Sequence, residues 1–197
     1  WTRDFTDIEG PLRPRPRYRT RVKMLWDAHY WYIAAELQEP DLWATIRERD
    51  AVIFRDNDFE IFVDPSGTSH RYFEIETNQF ATVWDLFLPR PYSEGGHAVN
   101  EWNIDGLRIA VALDGTINHA GDRDRGWSVE LAIPWAAFAD SGHNVVPPRA
   151  GSQWRVNFSR VEWDADPIGG RYVKRTDRTG KPLPEHNWVW SPQGVIN

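Results

Sequence analysis

Apolar residues recur with a period of two along most of this chain. In residues 20–27, Val22, Met24 and Trp26 alternate with Arg21, Lys23 and Leu25, the pattern of a strand with one buried face. The stretch Asp27-Ala28-His29-Tyr30 reads as a turn, and residues 31–37 continue as a second strand, so the pair predicts a hairpin. Residues 59–63 end at Asp64-Pro65-Ser66-Gly67, a strong turn signal, and residues 70–78 form the predicted return strand. On that strand Phe73, Ile75 and Thr77 share one face, and Tyr72, Glu74, Glu76 and Asn78 share the other. Further strands are predicted over 82–88, 107–113, 127–133, 154–163 and 188–190. Helical periodicity is confined to Pro134-Trp135-Ala136-Ala137-Phe138, one turn with proline at its start. Residues 40–55 read as a short helix or a covering loop, and the polar, Gly- and Pro-rich residues 164–185 as a long loop. Amphipathic helices between strands are missing, which argues against a parallel α/β sheet. The predicted fold is all-β: one antiparallel β-sandwich over residues 1–197, jelly-roll or immunoglobulin-like in its layers, with long loops and little helix.

Composition narrows the function classes. The 197 residues include 12 tryptophans, more than a core of this size needs, and no cysteine. Disulfides, thiolate ligands and cysteine nucleophiles are therefore excluded. The formal net charge of −6 argues against a nucleic-acid partner, which calls for a basic face. Arg13, Arg15, Arg17, Arg19 and Arg21 alternate with prolines and read as an exposed, extended lead-in. No apolar run reaches about 18 residues, so no helical membrane span is expected. No signal peptide is read at its start, and the opening on Trp1 with the strand-like end at Gly194-Val195-Ile196-Asn197 leads to the expectation of a fragment or a processed product.

Three constellations carry candidate chemistry. Asp56, Asp58, Glu60 and Asp64 cluster around one strand; carboxylates near a turn can hold calcium through oxygen, although the spacing matches no EF-hand loop. Glu74, Glu76 and Asn78 form a polar face, and Arg160 sits in a strand that otherwise reads as buried. A buried guanidinium needs a carboxylate, expected from Glu60, Glu74 or Glu76. Such a face of carboxylate, guanidinium and amide suits sugar hydroxyls, which both donate and accept. Among the aromatics, Trp26, Trp31, Trp127 and Trp154 are expected to pack the interior, whereas Trp43, Phe54, Trp188 and Trp190 lie in or beside irregular segments and are expected to face a ligand. Paired carboxylates leave a glycosidase-type acid and base open. No G-x-S-x-G, H-E-x-x-H or Gly-rich phosphate motif is present.

The segments "TRVKMLWDAHYWYIAAELQEPDLWA", "DNDFEIFVDPSG", "GWSVELAIPW" and "WRVNFSRVEW…HNWVWSPQGVIN" together resemble, in order, the carbohydrate-binding family 9-like domains of bacterial polysaccharide-degrading proteins. The resemblance implies a β-sandwich that holds a mono- or oligosaccharide between two aromatic rings, without catalysis; no nucleic-acid or membrane partner is expected, from the charge and the lack of a long apolar run. By position, Glu60 in "DFEIFVD" matches the family's binding glutamate, and Trp188 in "HNW" one clamp ring, with Asn187 beside it. The second ring falls at Phe54, where a tryptophan is expected. The family's arginine and asparagine fall near Ala81 and Val83, which cannot replace them; Glu76, Asn78 and Arg160 are assigned that work from face and charge. The resemblance also implies bound calcium, expected at Asp56, Asp58 and Asp64, an extracellular or periplasmic location, and a fused or co-encoded glycoside hydrolase. The same superfamily contains haem-binding DOMON-type domains, for which Met24, the one methionine, would be an axial ligand; a methionine filling a gap in the core is the plainer reading.

Overall fold

A computed structural model describes residues 1–141 and 146–194; apart from Gly194, the strand expected at the C-terminal end lies outside them. Twelve strands run β1 (Thr6–Asp7), β2 (Thr20–Trp26), β3 (Tyr30–Gln38), β4 (Asp58–Asp64), β5 (Tyr72–Asn78), β6 (Val83–Leu88), β7 (Arg108–Asp114), β8 (Gly126–Pro134), β9 (Arg155–Glu162), β10 (Ala165–Ile168), β11 (Arg171–Lys174) and β12 (His186–Val189). Two sheets make a sandwich, one ordered β1-β12-β9-β4-β5-β6 and the other β2-β3-β8-β7, with β10 and β11 as a separate hairpin. Every pairing is antiparallel. Helix is confined, among the described residues, to 3-10 turns at Ile53–Arg55, Tyr92–Glu94 and Trp135–Ser141.

The period-2 pattern explains the layers. Phe59, Ile61 and Val63 of β4, Phe73 and Ile75 of β5, and Phe158 of β9 project inward from the six-stranded sheet. Val22, Ile33, Ala35, Leu37, Val129 and Leu131 meet them from the other sheet. The four-stranded sheet keeps a wet outer face, as its alternating burial along β3 shows. In the six-stranded sheet the central strands β4 and β5 are buried on both faces. Their outer face is covered partly by the long connection after β3.

That connection is a covering loop rather than a helix, and side-chain bonds pin it. Asp56 accepts from Thr45 N (2.7 Å), Thr45 Oγ1 (2.7 Å) and Ile46 N (2.9 Å). Asn78 Nδ2 donates to Ile46 O at 2.8 Å, and Thr82 Oγ1 to the same carbonyl at 2.9 Å. At its end, Phe54 N donates to Glu76 Oε2 at 3.0 Å, and Trp163 Nε1 donates to Phe54 O at 2.8 Å. Phe54 is thus fixed above the sheet.

The segment 164–185 departs from the expected structureless loop, because Gly169 and Gly170 take left-handed φ of 59° and 78° and close the β10–β11 hairpin. The tryptophans also sort differently. Trp31 and Trp127 are buried as expected, but Trp26 is 73 % exposed at the end of its strand, and Trp43, expected to face a ligand, is 5 % exposed.

Candidate functional site

The register of the six-stranded sheet assembles an acidic floor on its outer face. Glu60 of β4 lies opposite Glu76 of β5 and Ser159 of β9. Phe62 lies opposite Glu74, and Glu76 opposite Trp84 of β6. Two residues before Glu60, Asp58 shares its face and lies opposite Asn78. Above this floor opens a cleft of about 410 Å³, within the range of small-molecule sites. Glu60, Glu74 and Glu76 line its base and Glu185 and Asn187 its rim, with aromatic walls from Phe54, Trp84, Tyr72 and Tyr92. Phe54, 37 % exposed, stacks on Trp84 with ring centroids 6.4 Å apart and planes inclined by 27°. Among the described residues, no lysine or arginine lines the cleft.

So many carboxyls in so little water resist ionisation. Burial pushes Glu60 up to about 7, against the pull of a hydrogen bond from Ser159. Burial and then the charge of Glu60 push Glu74 up to about 8. Burial first, then Glu60, raises Asp58 well above the usual carboxylate range. Glu76 rises for the same cause, with Asp58 as its strongest charged neighbour. The phenols of Tyr72 and Tyr92 are raised by burial and by Glu74, and so stay protonated as donors. The cleft therefore offers O–H donors, carboxyl acceptors and flat apolar rings together.

Residues 4–182 match a family model described as carbohydrate family 9 binding domain-like. The chain belongs to that family. No curated protein matches it. Among solved structures, it is similar to a protein of Bacteroides uniformis ATCC 8492 provisionally assigned as carbohydrate-binding, at 16 % identity and a TM-score of 0.65, covering 100 % of this chain and 79 % of that one. It is also similar to a carbohydrate binding module family 9 from Caldicellulosiruptor kristjanssonii in complex with cellotriose, at 14 % identity and a TM-score of 0.50, covering 94 % and 72 %. At such identities the likeness speaks for the fold.

In this family 9-like domain the structure brings together Phe54, Glu60, Glu76 and Asn187 of the expected site residues. Trp188 does not join them. It is 3 % exposed and faces inward opposite Arg160, with its ring beside Tyr18 at 6.0 Å and His186 at 5.7 Å. Adjacent strand residues point to opposite faces, so Asn187 in the cleft places Trp188 in the core.

Arg160 is likewise inside, 1 % exposed between the sheets. Its partners are Glu39 at 2.5 Å and Glu162 at 2.7 Å, not Glu60, Glu74 or Glu76. Its Nη1 also donates to Gln38 O at 2.8 Å. Asn78 is spent on structure: Nδ2 donates to Ile46 O and to Asp56 Oδ2, and Oδ1 accepts from Phe80 N and Thr82 N.

The calcium expected at Asp56, Asp58 and Asp64 does not fit those three residues. Asp56 already accepts from Thr45, Ile46 and Asn78. Asp64 ends β4 at a distance of about 20 Å from Asp58 at strand rise, and it caps its own turn, accepting from Ser66, Gly67 and Ser69. Both carboxylates are satisfied by the protein, and they stand at opposite ends of the strand. Trp84, Tyr72 and Tyr92 are site residues that sequence reasoning missed. The signal for Trp84 was its parity in the strand predicted over 82–88, which is readable only once the register against β5 is known.

Proposed function

We propose that this domain is a non-catalytic module whose cleft over β4, β5 and β6 binds a mono- or oligosaccharide. The observation that carries the reading is the cleft itself, in a chain whose residues 4–182 match a carbohydrate-binding family model. Trp84 and Phe54 present apolar ring faces for the C–H face of a pyranose. Glu60, Glu76, Glu185 and Asn187 reach its hydroxyls. The Phe54–Trp84 pair takes the place of the clamp expected from Phe54 and Trp188. Affinity is modest, because an open site of two rings has limited area to bury.

The cellotriose bound by the Caldicellulosiruptor module supports testing β-linked gluco-oligosaccharides first. The resemblance to domains of polysaccharide-degrading proteins supports an extracellular or periplasmic location beside a fused or co-encoded glycoside hydrolase. A hydrolase activity of the domain itself is disfavoured by the match of residues 4–182 to a binding-domain family model.

Calorimetric titration with a panel of oligosaccharides tests the reading, with indole fluorescence as a second signal. Binding that weakens in Trp84→Ala supports the cleft. Binding that is untouched by Trp84→Ala and Glu60→Gln places the sugar elsewhere.

A further inference from the structure

From the acidic floor we infer that Asp58, Glu60 and Glu76 hold a divalent cation of the calcium class, whose open coordination positions are taken by hydroxyls of the bound sugar. The second clause rests on the sugar-binding reading; the first does not.

Each of the three residues offers a carboxylate oxygen, and these oxygens lie within 4.8 Å of one another. A calcium ion sits about 2.3–2.6 Å from each ligand, so two of its ligands stand at most about 4.6–5.2 Å apart. The spacing therefore admits a single ion bound to all three. The geometry follows from the sheet: Asp58 and Glu60 are two residues apart on one face of β4, and Glu76 is the register partner of Glu60 on β5.

A second observation is independent of that spacing. Asp58 is fully buried; its Oδ1 accepts from Val161 N at 3.1 Å, but its Oδ2 has no hydrogen-bond partner. Glu74 Oε2, in the same floor, is buried without a partner as well. A buried carboxyl oxygen without a partner is costly in either protonation state, and native proteins supply one. Among the described residues no side-chain cation bonds to them: Arg160 is committed to Glu39 and Glu162 on the other face of the sheet, and no basic residue lines the cleft. All donors are carboxylate oxygens, with neither histidine nor thiolate, which selects a hard cation over a transition metal. Three protein ligands leave at least about three of the usual 6–8 positions open toward the cleft, where vicinal sugar hydroxyls can fill them.

The test uses the whole domain, freed of metal with a chelator. It is titrated calorimetrically with CaCl2, and separately with TbCl3 under tryptophan excitation, because Trp84 is the register neighbour of Glu76. One ion per chain is expected, bound about tenfold more weakly or worse in Glu60→Gln and in Asp58→Asn, since affinity follows ligand charge. Melting curves of both variants show whether they fold, and the wild-type stoichiometry decides the question even if Asp58→Asn does not. No calcium heat and no terbium luminescence in the wild type overturns the site, as does a full signal in Glu60→Gln. Oligosaccharide titrations in millimolar CaCl2 and in EDTA then address the second clause: tighter binding with calcium supports it, and equal binding overturns it. Ion uptake without any sugar binding keeps the cation site and removes the sugar reading. Sugar binding without ion uptake does the reverse.

Discussion

Replacing Arg160 with methionine separates a structural role from a ligand-binding one. The guanidinium is 1 % exposed and joins the sheets: it reaches Glu39 at 2.5 Å, Glu162 at 2.7 Å and the Gln38 carbonyl at 2.8 Å. Its charge also lies 5.4 Å from the Trp188 ring and 5.6 Å from that of Tyr18. Methionine keeps much of the volume but strands two buried carboxyls, and breaking a buried pair in this way costs about 3–5 kcal/mol. For a domain of this length each kcal/mol moves the melting temperature by about 2–4 °C, so a fall of roughly 6–20 °C is expected. The deficit depends on pH in a definite sense. Glu39 is already held well above the usual carboxylate range by burial and by Glu162, and Arg160 opposes this most strongly, with a smaller pull from the Asp41 backbone N–H. Removing Arg160 raises its folded-state value further above the unfolded one. Stability is then intact below the unfolded value and is lost as pH rises through the folded one. The variant should therefore lose more relative to wild type at pH 8 than at pH 5. Differential scanning calorimetry at both values, with oligosaccharide titration at the permissive one, is the assay. A variant that melts like wild type but fails to bind sugar would refute the argument and return Arg160 to the ligand site. Replacing Arg160, Glu39 and Glu162 together with apolar residues of matched volume should recover most of the loss.

Three further outcomes follow from the same geometry. Phe54→Ala and Trp84→Ala should each weaken sugar binding roughly 2- to 12-fold, the worth of about 0.5–1.5 kcal/mol for an aromatic contact, with little change in melting temperature; unchanged affinity in both would empty the cleft of its role. Trp188→Ala should cost about 3–5 kcal/mol of stability, as a buried ring truncated to a cavity does, while chemical denaturation and titration show affinity preserved in the folded fraction. Asn78→Ala removes two of the bonds that tie residues 40–57 to the sheet and two that close the turn after β5, leaving buried groups unpaired at about 1–3 kcal/mol; limited trypsin digestion should then cut at Arg47, Arg49 or Arg55 before it cuts the wild type.

The alternation of apolar and polar residues was enough to call the strands from β2 to β9, the antiparallel pairing and the sandwich, because a two-residue period admits one arrangement of faces. It also put Glu74 and Glu76 on one polar face, and the ordered segments pointed to the family. What it left undecided was which outward faces meet. Glu60 faces Glu76, and Trp84 faces Glu76, only through the registers of β4 with β5 and β5 with β6. Trp188 and Asn187 are neighbours in the chain and lie on opposite sides of a sheet; the register of β12 against β9 sends the tryptophan to the core and the asparagine to the cleft. Arg160 reads in sequence as a buried cation in need of a carboxylate, which it is. Its partner Glu39 lies 121 positions away, and distance along the chain carries no information about proximity across a sandwich. Local pattern set the orientation of each strand's side chains; only the packing of strand on strand chose their company.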